Sequence, residues 1–210
     1  MTLPEDSRPA LQEPEPAGRE DSSHPLARRL KGCNLYLVGM MGSGKSTAGR
    51  PLAAALGYRF IDADETLERA AGCSIPEIFA RDGEAAFRDM ETAVLESIAP
   101  WHSLVVATGG GVVTRPRNWG LLRQGLVVWL DASEELLLKR LRADPNPRPL
   151  LKAVDLDDRM VRLLSERRRL YGEADLVIHQ AIDASPQRVA EQILEALPPL
   201  LRERQEAAGS

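Results

Sequence analysis

The sequence predicts an α/β protein of three layers, with a parallel sheet covered by helices on both faces. Three observations carry this. Short apolar runs alternate with helical patterns along the chain, the signature of strands buried on both sides. A glycine-rich turn joins the first such run to the first helical pattern, as in a strand–loop–helix phosphate site. No apolar run approaches the roughly 18 residues of a membrane span.

In order along the chain, residues 1–28 read as a disordered tail rich in Pro, Glu, Asp and Ser, with no apolar period to offset the entropy of ordering. Its acidity and lack of an apolar stretch fit neither a secretory signal nor a transit segment, so a cytoplasmic location is expected. Residues 29–200 read as a single domain. Residues 34–38 form the first strand, and a helix follows the glycine-rich turn as far as Leu56. The second strand covers 58–61. Residues 64–71 and 74–98 read as helices, broken near Gly72 and Gly83. Residues 103–107 are the third strand and 125–130 the fourth. Ser133 caps a helix whose first turn carries Glu134 and Glu135. Three prolines between Pro145 and Pro149 forbid a helix there and predict a surface loop, a lid over about 143–155. A helix over 156–170, a fifth strand over 175–178 and a last helix opened by Ser185-Pro186 complete the domain. Residues 201–210 read as a frayed end.

Of the 210 residues, 27 are Lys or Arg and 31 are Asp or Glu, and the net charge of −4 argues against general nucleic-acid coating. The two cysteines, Cys33 and Cys73, lack zinc-site spacing and cannot build a disulfide framework, which favours a reducing compartment.

The strongest motif is Gly39-Met-Met-Gly42-Ser43-Gly44-Lys45-Ser46, which fits G-x-x-x-x-G-K-[ST] in strand–helix context. Backbone N–H groups around Gly42, Ser43 and Gly44 can wrap a phosphate, and the helix N-terminus adds its positive end. Lys45 is placed to reach the β- and γ-phosphates and Ser46 to ligate Mg²⁺. Thr47 also belongs to the nucleotide site, but its spacing does not suit the metal. Asp62 and Asp64, at i and i+2 at the end of the second strand, are expected on one side at the carboxyl edge of the sheet, where ligands bind. The natural division puts Asp62 in the shell around Mg²⁺ and Asp64 on an acceptor hydroxyl, whose proton it takes. Capping of the next helix by Asp64 is an alternative that can coexist.

Gly109, Gly110 and Gly111 follow the third strand directly. They allow close backbone approach to a ligand. Three arginines stand out by position. Arg88 follows the second strand, Arg148 lies between prolines in the expected lid, and Arg167 sits in the run 166–171. Each can fork onto a carboxylate or phosphate, although spacing alone favours an ordinary surface charge.

Taken together, the phosphate loop, Phe60-Ile-Asp62-Ala-Asp64, the segment 78–88 ending in Phe87-Arg88, Thr108-Gly-Gly-Gly-Val112, Arg148-Pro-Leu-Leu151 and Arg167-Arg-Arg-Leu-Tyr171 resemble the shikimate kinase family in order and spacing. The resemblance covers about residues 33–196. It implies a phosphate-loop kinase fold with five parallel strands in the order 2-3-1-4-5, and a substrate-binding segment over about 62–95. It implies transfer of the γ-phosphate of ATP, with Mg²⁺, to the 3-hydroxyl of shikimate. Carried over by motif, Asp64, Arg88, Gly109, Gly110, Gly111 and Arg167 contact shikimate, and Arg148 enters from the lid. Lys45, Ser46 and Asp62 serve nucleotide and metal, and Arg140 lies near the adenine. Catalysis then falls to Lys45, Asp64 and Arg148. A monomer without nucleic-acid or membrane partners is expected. The chain departs from the family in its acidic tail and in 180–186, which lacks an arginine that some members carry by the adenine. The rivals are another small-molecule or nucleotide kinase on the same scaffold, and a nucleotide-binding regulator without transfer activity.

Overall fold

The structure, a computed structural model, describes residues 24–144 and 156–208. The expected tail through residue 23, most of the expected lid and Arg148 lie outside the described residues.

Five strands form one sheet in the order β2-β3-β1-β4-β5: β1 (Leu35–Val38), β2 (Arg59–Asp62), β3 (Leu104–Ala107), β4 (Leu126–Asp131) and β5 (Leu176–His179). Every neighbouring pair is parallel, with Leu35 opposite both Val105 and Leu126. The helices between them are α2 (Lys45–Leu56), α3 (Ala63–Ala71), α4 (Ile75–Ile98), α5 (Pro116–Leu122), α6 (Glu134–Ala143) and α7 (Leu156–Tyr171); α1 (Pro25–Leu30) precedes the sheet and α8 (Pro186–Ala208) follows it. Strands β1, β3 and β4 are buried throughout, which is why they read as unbroken apolar runs.

Side-chain alternation along β1 divides the core. Leu35 and Leu37 join Leu30 of α1, Leu52 and Leu56 of α2, and Ile193 and Leu197 of α8 on one face. Tyr36 and Val38 join Leu67, Leu95, Trp119, Leu136 and Met160, from α3 to α7, on the other. The adjacent strands β1 and β3 thus send their following helices to opposite faces. Their carboxyl ends open the crevice in which α/β proteins bind ligands.

The helix termini follow the expected chemistry. Ser133 accepts from the Leu136 N–H at 3.2 Å and Ser185 from that of Arg188 at 3.1 Å. Glu77 reaches back to the Ser74 N–H at 2.7 Å and closes a capping box on α4. The expected break at Gly83 is present as a non-helical residue with φ 80° inside α4.

Three differences have local causes. The expected tail boundary at 28 falls inside α1, because Leu26 and Leu30 form an apolar i, i+4 pair that buries, and Arg29 donates to the Pro198 carbonyl of α8 at 3.2 Å. The expected fraying from 201 gives way to helix as far as Ala208, with Leu201 buried. Helix α5 has no counterpart in the sequence reading, although Pro116 at its first position is a start signal. Among the described residues no helix is long and apolar enough to cross a membrane.

Burial pushes all three tyrosines up, Tyr58 and Tyr171 to about 12 and Tyr36 in the same direction. A tyrosine whose folded pKa is raised holds its proton longer in the folded than in the unfolded chain. Its contribution to stability is therefore complete below the ordinary value of 10.0 and is lost as pH rises toward the folded one. Alkaline titration followed by tyrosinate absorbance should show Tyr58 and Tyr171 still protonated in the native protein at pH 10, and their ionisation together with unfolding above it.

Candidate active site

After β1 the backbone turns through Gly39, Gly42 and Gly44 at φ 144°, 79° and 85°, conformations that side chains resist. At Gly39 a Cβ would also lie 2.8 Å from the Leu130 carbonyl. Helix α2 starts at Lys45 with no side-chain cap, which leaves its first N–H groups for a ligand. Lys45 is buried and folds back on its own loop, donating to the carbonyls of Gly39 at 2.9 Å and Met40 at 3.0 Å. Ser43 is wholly buried, and its N–H donates to Met40 at 3.0 Å. Thr47 donates its hydroxyl to Gly44 at 3.0 Å, on the exposed side of the turn.

Asp62 joins three elements. Its Oδ2 accepts from the Ser46 hydroxyl of α2 at 2.5 Å, and its Oδ1 accepts from the N–H groups of Asp64 and Glu65 at 3.0 and 3.3 Å. Asp62, and not Asp64, is therefore the cap of α3. β2 ends at Asp62, so Asp64 reaches the cleft from the first turn of a helix; the two carboxylates share the cleft without sharing a strand face.

Arg88, on α4, is buried, with Nη1 2.8 Å from Glu91 and Nη2 3.3 Å from Glu84. Glu91 is only 4% exposed, and its Oε1 has no hydrogen-bond partner. Burial pushes the Glu91 carboxyl up, and Arg88, Arg167 and Arg115 offset this only in part. Burial pulls Arg88 down, but Glu91 and Glu84 outweigh it, so Arg88 stays charged. Arg167 of α7 is buried against the same place and donates to the Gly110 carbonyl at 3.2 Å.

Gly109 and Gly111 owe their composition to these side chains, and Gly110 to the phosphate loop, whose Met41 nitrogen would lie 3.1 Å from a Cβ there. None of the three has positive φ, so conformational freedom is not the reason. A Cβ at Gly109 would run into Glu91 and lie 2.9 Å from Asp64 Oδ1; one at Gly111 would overlap the Arg88 guanidinium. The loop's position is fixed by Tyr171, whose hydroxyl donates to Gly110 at 2.5 Å and which, with burial holding its pKa near 12, keeps that proton.

These residues line one cleft of about 650 Å³, including Ser46, Asp62, Asp64, Arg88, Gly109, Gly110, Gly111 and Arg167. Lys45 adjoins it through the phosphate loop. Arg140 of α6 lies at the outer side of that loop and donates to the Gly42 carbonyl at 3.1 Å; Arg148 lies outside the described residues. The sequence reading missed Glu91, Tyr171 and Gln180 as members of the site. Glu91 stands three residues after Arg88 on a long helix, a spacing that a solvent-exposed pair would also show.

The sequence model of the family described as Shikimate kinase matches residues 41–198. A shikimate kinase of Synechococcus sp. (strain RCC307) is 61% identical over 183 residues, 87% of this chain and 93% of that one. One from Gloeobacter violaceus is 53% identical over 174 residues, 83% of this chain and 97% of its own. Among solved structures, shikimate kinase from Acinetobacter baumannii in complex with shikimate superposes with a TM-score of 0.78 at 40% identity, covering 82% of this chain and 97% of that one. A gluconokinase from Sinorhizobium meliloti, at 20% identity and TM-score 0.56, shares the fold.

A methyl group added at residue 109 would displace Asp64 and Glu91 without touching the phosphate loop. Gly109→Ala should retain nucleotide affinity by calorimetry and lose phosphoryl transfer by about 100-fold in steady-state kinetics, the usual cost of a misplacement near 1 Å.

Proposed function

Since the chain belongs to the shikimate kinase family, we propose that this cleft transfers the γ-phosphate of ATP to the 3-hydroxyl of shikimate, with the roles that follow. The observation that carries the reading is the convergence on one cleft of the phosphate loop, Asp64 and two buried guanidinium groups.

The carboxylate of shikimate meets Arg88 and Arg167, a two-point match for planar forks. Glu84, whose side chain is 54% exposed, is the partner that a ligand carboxylate most readily replaces on Arg88; Glu91, buried behind it, stays and holds the guanidinium in place. Asp64 then accepts a hydrogen bond from the acceptor hydroxyl. As the hydroxyl oxygen bonds to phosphorus and the β–γ bridging bond breaks, the electron pair leaves with ADP and the proton passes to Asp64, from which solvent removes it. Lys45 exchanges its two carbonyl acceptors for phosphate oxygens, and Arg148 adds a cation from the expected lid.

The donors present suit Mg²⁺. Ser46 and Asp62 supply one hydroxyl and one carboxylate, and among the described residues no cluster of three His, Cys, Asp or Glu could hold a metal by itself. That is the environment of an ion completed by water and substrate phosphates. When bound, Mg²⁺ neutralises charge on the β- and γ-phosphates. A cytoplasmic monomer accords with the reading.

ADP release in a coupled assay should depend on shikimate and not on gluconate or nucleoside monophosphates; release that follows another acceptor would replace the substrate proposed here. Asp64→Asn should lower kcat by about 10²- to 10⁴-fold with ATP affinity intact. Ser46→Ala should raise the Mg²⁺ concentration needed for half-maximal turnover, measured by titrating the metal at fixed ATP.

A further inference from the structure

Gln180, the first residue beyond β5, ties the far edge of the sheet to the phosphate loop. Its N–H donates to the Asp131 carbonyl at 2.9 Å, which anchors its backbone to the end of β4. Its side-chain Nε2 donates to the Ser43 carbonyl at 2.8 Å, and its Oε1 accepts from Arg140 Nη1 at 3.2 Å. That orientation of the amide is the one its partners permit, since a carbonyl only accepts and a guanidinium only donates. The same Arg140 nitrogen donates to the Gly42 carbonyl at 3.1 Å. Two successive carbonyls of the loop are thus held from one side.

We propose that Gln180 is a positioning residue for the phosphates of the nucleotide. In a trans peptide the C=O and N–H point in opposite directions. Holding the Ser43 carbonyl toward Gln180 turns the Gly44 N–H of the same peptide unit away from it, toward the concave side of the loop. Arg140, steadied by Gln180, holds the Gly42 carbonyl in the same sense, while the N–H of that peptide unit, at Ser43, donates to the Met40 carbonyl and closes the turn. Gln180 therefore acts through the loop's backbone. The inference rests on the phosphate-binding part of the proposed function and not on the identity of the acceptor.

The test measures binding of inorganic pyrophosphate, of ADP and of shikimate to the full chain by calorimetry, for the wild type, Gln180→Ala and Gln180→Glu. Pyrophosphate isolates the phosphate cradle from the base. Gln180→Ala removes the neutral hydrogen bond to Ser43 and the one from the Arg140 guanidinium, and should weaken pyrophosphate and ADP about fivefold with shikimate affinity unchanged. Gln180→Glu keeps an acceptor for Arg140 but sets a carboxylate oxygen against the Ser43 carbonyl, and should weaken pyrophosphate at least as much. In the Arg140→Ala background the Gln180→Ala loss should be smaller than in the wild type, since the two residues act as a unit. Wild-type pyrophosphate affinity in either Gln180 variant overturns the proposal, as does an equal loss of shikimate affinity, which would mark general damage to the fold. Weakened pyrophosphate binding in a protein that phosphorylates some other acceptor would leave the inference standing and remove shikimate from the proposed function.

Discussion

A guanidinium and a carboxylate kept out of water at the base of the cleft constrain everything around them. Arg88 and Glu91 are each under 10% exposed, and their attraction must offset the desolvation of both. Removing one partner of such a pair costs about 3–5 kcal/mol, because the other charge is left stranded. The neighbourhood is built to prevent that. Arg167 and Arg115 add positive potential around Glu91, and the glycine loop gives up its side chains so that both groups fit beneath it. The arginines proposed to recognise the substrate are therefore also part of what holds the site together.

The phosphate loop is organised on a different principle. Its bends come from glycines at positive φ, and its rigidity comes from bonds made to it by distant elements. Asp62 holds Ser46 from β2, Arg140 holds Gly42 from α6, and Gln180 holds Ser43 from the end of β5. The parallel sheet makes this possible, since it brings the carboxyl ends of β1, β2, β4 and β5 to one edge.

The fold was legible because the interior strands are buried on both faces and leave uninterrupted apolar runs, and because Gly44-Lys45-Ser46 marks the start of α2. The cleft residues with motif spacing were legible as well. What the sequence hid depends on distance along the chain. Glu91 looks like any i, i+3 partner until α4 packs beneath a loop 18 residues further on. Gln180 meets Ser43 across 137 positions and Arg140 across 40, and no local pattern announces either contact. Helix α1 was hidden by the acidic run before it, which masked the Leu26–Leu30 spacing. Asp64 was placed in the cleft by strand alternation, whereas the structure brings it there on a helix capped by its neighbour Asp62.

The division of the core also bears on how the chain is made. One face of the sheet is covered by α1, α2 and α8, so the first and last helices described close the same hydrophobic layer. During synthesis from the N-terminus, Leu30, Leu52 and Leu56 emerge long before Ile193 and Leu197 can cover them. The central strand β1 is likewise completed only when β4 arrives beside it. A nascent chain thus carries an open apolar layer until α8 leaves the ribosome, and that exposure, more than the loss of any single contact, is where chaperone dependence would be written into this topology.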